Sequence, residues 1–580
     1  MHRQIHLLPA LLITLLGCGD PDTTNSDAPP PATLILTNGH IVTVDQALGE
    51  QEAIAITGHT ISAVGSSASI QAYAGAETQV IDLAGQTVIP GLIEGHGHFL
   101  NVGRAKQILD LTQANSFARI VTQVAQAADA AEPGEWIFGR GWHQDKWTVR
   151  EPQLIDGVPI NKTLNQVSGD NPVILVHASG HAAFANDRAL QAAGIGADTA
   201  APAGGIIVRD DSGRATGLLR ETAQDLVDSA AQQYLSRQDG AQRRATFLAQ
   251  VQLAGDEALR YGVTSFHDAG TPLTDIDRLR KLELQQGLPI RLYVMINDDN
   301  QTLAEKLPDY FWPYEDNDFL TVRSIKRQID GALGAHGAWL LQPYTDLPDT
   351  SGLVLTSLKD MAEIAALALQ HNFQLATHAI GTRGNRETLD LYERAWGDQE
   401  RDGTALRWRV EHAQHVYPED ITRFARLGVI AAVQGVHCTS DGPWIPTRLG
   451  MPRTRITSYR WRDMLDGGVR INNGTDAPVE SLNPFASLQA SVTRRMNGGA
   501  RFFPEQAMTR MEALKSYTLD NAYSAFEETH KGSISPGKLA DLVVLSADYL
   551  SVPADEIGAL QAVMTIVGGD IRYRRDASQP

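Results

Sequence analysis

Two cysteines, Cys18 and Cys438, are all that this 580-residue chain contains, which excludes a disulfide-stapled framework. Also missing is a lysine- or arginine-rich stripe. The balance of 49 basic against 68 acidic residues leaves a formal charge of −19. Nothing of that sign neutralises a phosphate backbone, so nucleic acid is excluded as a partner, and the folded body is ill suited to an anionic membrane surface. An apolar run long enough to span a bilayer is absent at the N-terminus, where Ile5 to Leu16 is broken by His6, Pro9 and Thr14. No solenoid-type repeat occurs. What is present is ordinary for a globular protein: 43% hydrophobic and 20% charged residues, over a length that can bury a large core.

The first residues read as an export signal over 1–17, with Arg3 as its positive end. The segment closes on Leu15-Leu16-Gly17-Cys18, which resembles a bacterial lipobox and marks Cys18 for lipidation. Leu16 is unusual there, so a plain cleaved signal stays open. Residues 18–31 are polar and proline-rich, a flexible tether. The expected location is the bacterial cell envelope, in the periplasm or on the outer membrane, with membrane contact only through a lipid on Cys18.

Short alternating runs punctuated by Asn38-Gly39, Thr57-Gly58 and Ala84-Gly85 predict a small antiparallel β unit over 32–88. Similar strands return over 531–575, with Gly568-Gly569 as a hairpin turn, so both chain ends build one β-sandwich. Between them, over 89–530, apolar strands alternate with helical patterns. Strands are expected at 87–94, 262–266, 290–296, 322–330, 373–378, 407–412, 429–434 and 469–475. That is the set an α/β fold of the (β/α)8 TIM-barrel type requires. The gap after the first strand predicts an insertion over about 100–255 with strands of its own, among them Val173 to Val176.

His96 and His98 end the first of these strands. Strand side chains alternate faces, so residues i and i+2 point together and two imidazoles can share a metal ion. Catalytic groups of such barrels sit at C-terminal strand ends. The other ends supply Lys326 within the fourth strand, His378 after the fifth, His412 after the sixth and Asp476 after the eighth. Four histidines and a carboxylate suffice for one or two divalent ions.

These marks sit in longer strings: Pro90-Gly91-Leu92-Ile93-Glu94-Gly95-His96-Gly97-His98, Ser179-Gly180-His181 through Asn186, and Ile325-Lys326 with Asp330-Gly331. Thr377-His378-Ala379-Ile380-Gly381, Arg409-Val410-Glu411-His412-Ala413-Gln414, Gly474-Thr475-Asp476-Ala477-Pro478 and Pro536-Gly537-Lys538-Leu539-Ala540-Asp541 follow. Together they resemble the amidohydrolase superfamily, and within it the Amidohydro_3 or YtcJ-like group that includes N-substituted formamide deformylase-like enzymes. The resemblance implies that His96, His98 and Asp476 bind one ion, expected to be zinc, and that His378 and His412 bind a second. Lys326, carboxylated on its amine, would bridge them. The other reading of Lys326 is a barrel lysine paired with Asp330, which leaves a single-ion site of His96, His98, His378 and Asp476. The implied reaction is hydrolysis of a C–N bond in a small amide or formamide by a metal-activated hydroxide, with Asp476 as proton carrier. A helix N-cap at Asp476, before Ala477-Pro478, is a second reading that can coexist with ligation.

Substrate contacts are expected from His181 and Asn186 in the insertion, from His336, and from His437 and Asp441 after the seventh strand. The group often carries a proline near Gly435, so this loop departs from it. His143 reads as a structural or pocket-wall residue, and Glu221 and Cys438 read as structural. Competing readings are a deaminase or cyclic-amide hydrolase on the same site, and an envelope lipoprotein that binds a solute without turnover.

Overall fold

Largely buried strands alternate with amphipathic helices through the middle of the chain and curl into a parallel barrel. The structure, a computed structural model, describes residues 29–576 apart from 145, 146, 150 and 152. The expected signal, Cys18 and most of the tether therefore lie outside the described residues. The barrel strands are β1 (Leu92–Gly97), β2 (Val263–Thr271), β3 (Arg291–Ile296), β4 (Leu320–Gln328), β5 (Gln374–Ala379), β6 (Arg409–His412), β7 (Ile430–Gln434) and β8 (Ile471–Gly474). Each pairs in parallel with the next. Between β1 and β8 the seam is closed by other bonds. Asp476 N–H donates to His96 O at 2.7 Å, and Asn521 Nδ2 donates to Ile93 O and Asn473 O at 2.6 and 2.9 Å. Gly95 permits that approach, since a Cβ there would lie 2.4 Å from Asn473 O.

The helices follow from their sequence. Over Leu358–Gln370, Ser357 caps by accepting from Asp360 N–H, and Met361, Ile364, Ala365, Ala368 and Leu369 fall on one buried face. Pro418 opens the helix Pro418–Leu427 and Gly428, at φ 67°, ends it.

One expected strand is two. Residues 87–94 read as a single apolar run, but Thr87–Pro90 belongs to the sandwich and Leu92–Gly97 to the barrel. Gly91 is the break: a Cβ there would meet Thr264 Oγ1 at 2.2 Å. The sandwich stacks a four-stranded sheet of N-terminal strands on a six-stranded sheet. In the latter, Leu542–Leu545 pairs antiparallel with Thr87–Pro90. Leu34, Leu36, Ile54 and Ile56 pack there against Leu542, Val544 and Ile566.

After β1 the chain builds the insertion, a six-stranded mixed sheet running from Leu109–Asp110 to Ala215–Glu221 and including Val173–His177. The helix Gly240–Arg260 then returns the chain to β2. No helix among the described residues is long and apolar enough to cross a membrane.

Sandwich and barrel are joined by a buried ion pair. Arg291 of β3 reaches Asp541 through Nε at 2.8 Å and Nη2 at 3.3 Å, and Asp541 also accepts from Gly568 N–H at 2.7 Å. Arg291→Ala strands that carboxylate without its cation, so unfolding in urea is expected to show a loss of about 3–5 kcal/mol.

Candidate functional site

At the C-terminal end of the barrel the strand-end residues converge. His96 Nε2 lies 3.7 Å from Asp476 Oδ1, and His98 Nε2 lies 3.2 Å from the same oxygen. The His412 ring centroid is 4.7 Å from that of His96 and 4.4 Å from that of His378. His98, Lys326, His378, His412 and Asp476 all line one cavity. Two of the backbone positions are unusual for non-glycine residues: His412 has φ 75° and Asp476 φ 58°. Left-handed backbone of this kind costs free energy and persists where the surroundings enforce it.

The ring nitrogens are prepared as acceptors. His96 Nδ1 is hydrogen-bonded to Glu411 Oε2, and His412 Nδ1 sits 2.8 Å from Gln434 Oε1. In each case the bond to an oxygen places the proton on Nδ1 and leaves the Nε2 lone pair to the site. Burial, with Lys326 nearby, lowers His96 to about 4 although Glu411 opposes it, and burial holds His378 and His412 well below the usual range. All three are neutral rings at physiological pH.

Glu411 is itself fixed by Arg409, whose Nε and Nη2 donate to its two oxygens at 2.7 and 2.9 Å. Burial alone raises this carboxyl, but Arg409 and His96 outweigh that and hold it ionised. Glu411→Gln is expected to weaken metal binding by roughly 10–100-fold in chelator competition, because the group orienting His96 loses its charge.

Several buried polar atoms have no hydrogen-bond partner among the described residues: His96 Nε2, His378 Nε2, His437 Nε2 and Asp476 Oδ1. Buried polar atoms are normally satisfied, so four such atoms gathered at one end of the barrel fit a cation. His96, His98 and Asp476 each offer a ligand atom, all within 4.8 Å of one another, and His412, His437 and Asp476 form a second such group. His437 therefore stands nearer the expected ions than a substrate contact alone requires. Burial acts to raise the Asp476 carboxyl, but His98, and the rings of His96 and His412 in their protonated forms, outweigh it and keep it well below the carboxylate range.

Lys326 is buried on β4, and burial lowers its amine while Glu411 and Asp476 act against that. Among the described residues it makes no ion pair with Asp330. That carboxyl instead accepts N–H bonds from Trp339, Ile380 and Gly381 at 2.9, 3.0 and 2.7 Å. Asp476 caps no helix; the next one, Pro484–Thr493, is capped by Asn483.

The expected substrate residues separate. His181 lines the cavity, 5.2 Å from the His378 ring, with Nδ1 2.7 Å from Glu221 Oε2. Burial opposes its protonation, yet Glu221 raises its pKa. Glu221, read from the sequence as structural, is part of this wall. His437 and Asp441 line a second cavity together with His143 and Trp444. Asn186 does not reach either cavity. It is buried, accepts from Val173 and Ala189 N–H and donates to Ser168 and Asn171, so its role is to cap a helix and tie the insertion sheet. His336 also turns away, with Nε2 3.2 Å from Asp346. Cys438 is fully buried and its thiol is pushed up to about 11, which removes it as a nucleophile.

The Amidohydro_3 family model, described as an amidohydrolase family, matches residues 79–573. The chain is 31% identical to Protein LONG AFTER FAR-RED 3 of Arabidopsis thaliana, over 95% of this chain and 94% of that one. It is 28% identical to N-substituted formamide deformylase of Arthrobacter pascens, over 94% and 99%. Among solved structures, a metal-dependent hydrolase of Pyrococcus horikoshii OT3 matches with a TM-score of 0.70 and 25% identity, over 90% of this chain and 99% of that one.

Proposed function

Because the chain belongs to the Amidohydro_3 amidohydrolase family, we propose that it hydrolyses the C–N bond of an amide or formamide with the help of bound divalent metal. The observation that carries this reading is the set of unpartnered buried atoms on His96, His378, His437 and Asp476 at one end of the barrel. Similarity to a formamide deformylase supports the bond type.

His96, His98 and Asp476 would hold one ion, and His378 and His412 a second, with His437 within reach of the latter. Zinc suits this imidazole and carboxylate set. Lys326 would bridge them as a carbamate: its neutral amine adds to CO2, forming an N–C bond and releasing one proton. Metal held by these residues would supply a water of lowered pKa and a Lewis acid for the carbonyl oxygen. The protein's part is positional and protolytic. Glu411 and Gln434 fix the rings of His96 and His412. Asp476 takes a proton at its carboxylate and returns it to the leaving nitrogen. The net reaction adds hydroxyl to the acyl carbon and hydrogen to the nitrogen.

The test is elemental analysis of the purified protein combined with a screen of N-acyl and N-formyl amines, reading released amine. About one or two transition-metal ions per chain and amine release abolished by a chelator are expected. Protein without stoichiometric metal would sink the reading.

The Leu15-Leu16-Gly17-Cys18 string supports an envelope lipoprotein. Cys18→Ser is expected to shift the protein from the membrane fraction to the soluble one; wild-type protein found only in the soluble fraction would refute the anchor.

A further inference from the structure

Two cavities meet at the site. One, of about 390 Å³, runs past His437 and Trp444; the other, of about 430 Å³, runs from His98 and Lys326 under the insertion sheet to Arg104 and Arg140. His181, His412 and Asp476 line both. A substrate with its reacting carbon beside Asp476 therefore extends an arm toward the two arginines.

Arg140 is the unusual residue. It lies on the insertion strand Ile137–Trp142, half-buried, with Nη2 donating to Ala178 O at 3.0 Å. Its Nε is closed off from solvent and has no partner among the described residues, and the acid whose field it feels is Asp476 across the cavity. Burial pushes this guanidinium down to about 10, with Arg104 adding to the effect and Asp476 opposing it, so it remains a cation at neutral pH. Buried charges are normally paired, because an unpaired one loses its hydration without compensation. The other acids of this cavity lie away from Arg140: Asp225 and Asp228 sit together on the Arg104 side, and Glu221 is held by His181 through one oxygen. Arg104 lies in the field of Asp228 and over the Phe138 ring. Of these groups, Arg140 is left facing the cavity without an acid of its own.

We propose that Arg140 receives a carboxylate of the substrate, so that the compounds hydrolysed are amides bearing a free acid group. The inference rests on the amide-hydrolase reading of the site and names the class of substrate. The Nη1–Nη2 edge of a planar guanidinium matches a carboxylate in two-point geometry. The carboxylate can sit on the amine side, as in an N-acyl amino acid, or on the acyl side, as in a dicarboxylic monoamide.

Calorimetric binding to the metal-loaded protein tests both arms. N-acetylphenylalanine is compared with its neutral primary amide, and N-benzylsuccinamic acid with N-benzylsuccinamide; where a compound is turned over, kcat/KM replaces affinity. In at least one pair the acid is expected to be favoured by about tenfold or more, as a charge-assisted bidentate contact predicts. Arg140→Met should bring that ratio to within about twofold, and Arg140→Lys should leave it between the two, since a point charge lacks the fork. Equal binding of acid and amide in both pairs by the wild type overturns the proposal whether or not the variants fold. So does a preference that survives in Arg140→Met, the pattern expected if the acid bound metal directly. Arg140-dependent binding with no hydrolysis of any compound supports the subsite while removing the hydrolase reading.

Discussion

Lys326→Ala is expected to lose activity by about 10³-fold or more and to retain less metal, since a bridging anion contributes several kcal/mol and about 1.4 kcal/mol is tenfold in rate. The residue is buried in a site that already holds Arg409. As a cation it would repel metal, and its lowered pKa favours the neutral amine that can take up CO2. Removing it leaves a gap the size of a side chain beside His378 and His412. A short carboxylic acid such as acetate or propionate can enter that gap and restore the negative charge. Partial return of activity with added acid, saturating with concentration, is the expected signature, measured as amine release alongside metal content. Wild-type turnover and full metal in Lys326→Ala would refute the bridge.

The sequence located these residues because each is tied to a periodic element. His96, Lys326, His378 and His412 lie on apolar strands whose ends can be read from the run of buried residues, and the parallel order of the strands brings the ends together. What stayed hidden depends on packing between distant segments. Glu411 orients His96 from 315 residues away. Its own signal is slight: Arg409 and Glu411 are i and i+2 on one strand and so share a face, and two opposite charges inside a barrel imply a third group to satisfy. His336 and Asn186 show the converse. Their residue types suit a substrate, but a left-handed backbone at His336 and a helix start at Asn186 aim both side chains elsewhere. Arg140 could not be placed at all, because its direction depends on how the inserted sheet docks over the barrel mouth. The division of residues 87–94 at Gly91 has the same origin, a contact with Thr264 that no local pattern encodes.

Asp476→Asn is expected to lower kcat by about 10²–10⁴-fold, the range for removing a positioned acid or base. The metal should be affected less, because the amide oxygen retains one ligand atom and the histidines remain. Asp476 lies well below the usual carboxylate range and is ionised in the wild type, so it receives a proton only when one is released beside it. Asparagine cannot receive one at all. If Asp476 hands that proton to the leaving nitrogen, the loss must depend on how much the nitrogen needs it. Amides of strongly basic alkylamines should therefore suffer the full loss, while anilides with electron-withdrawing groups, which leave with less help, should lose far less. Measuring kcat for both series in wild type and Asp476→Asn separates the roles: an equal loss across leaving groups would make Asp476 a metal ligand without a part in proton transfer.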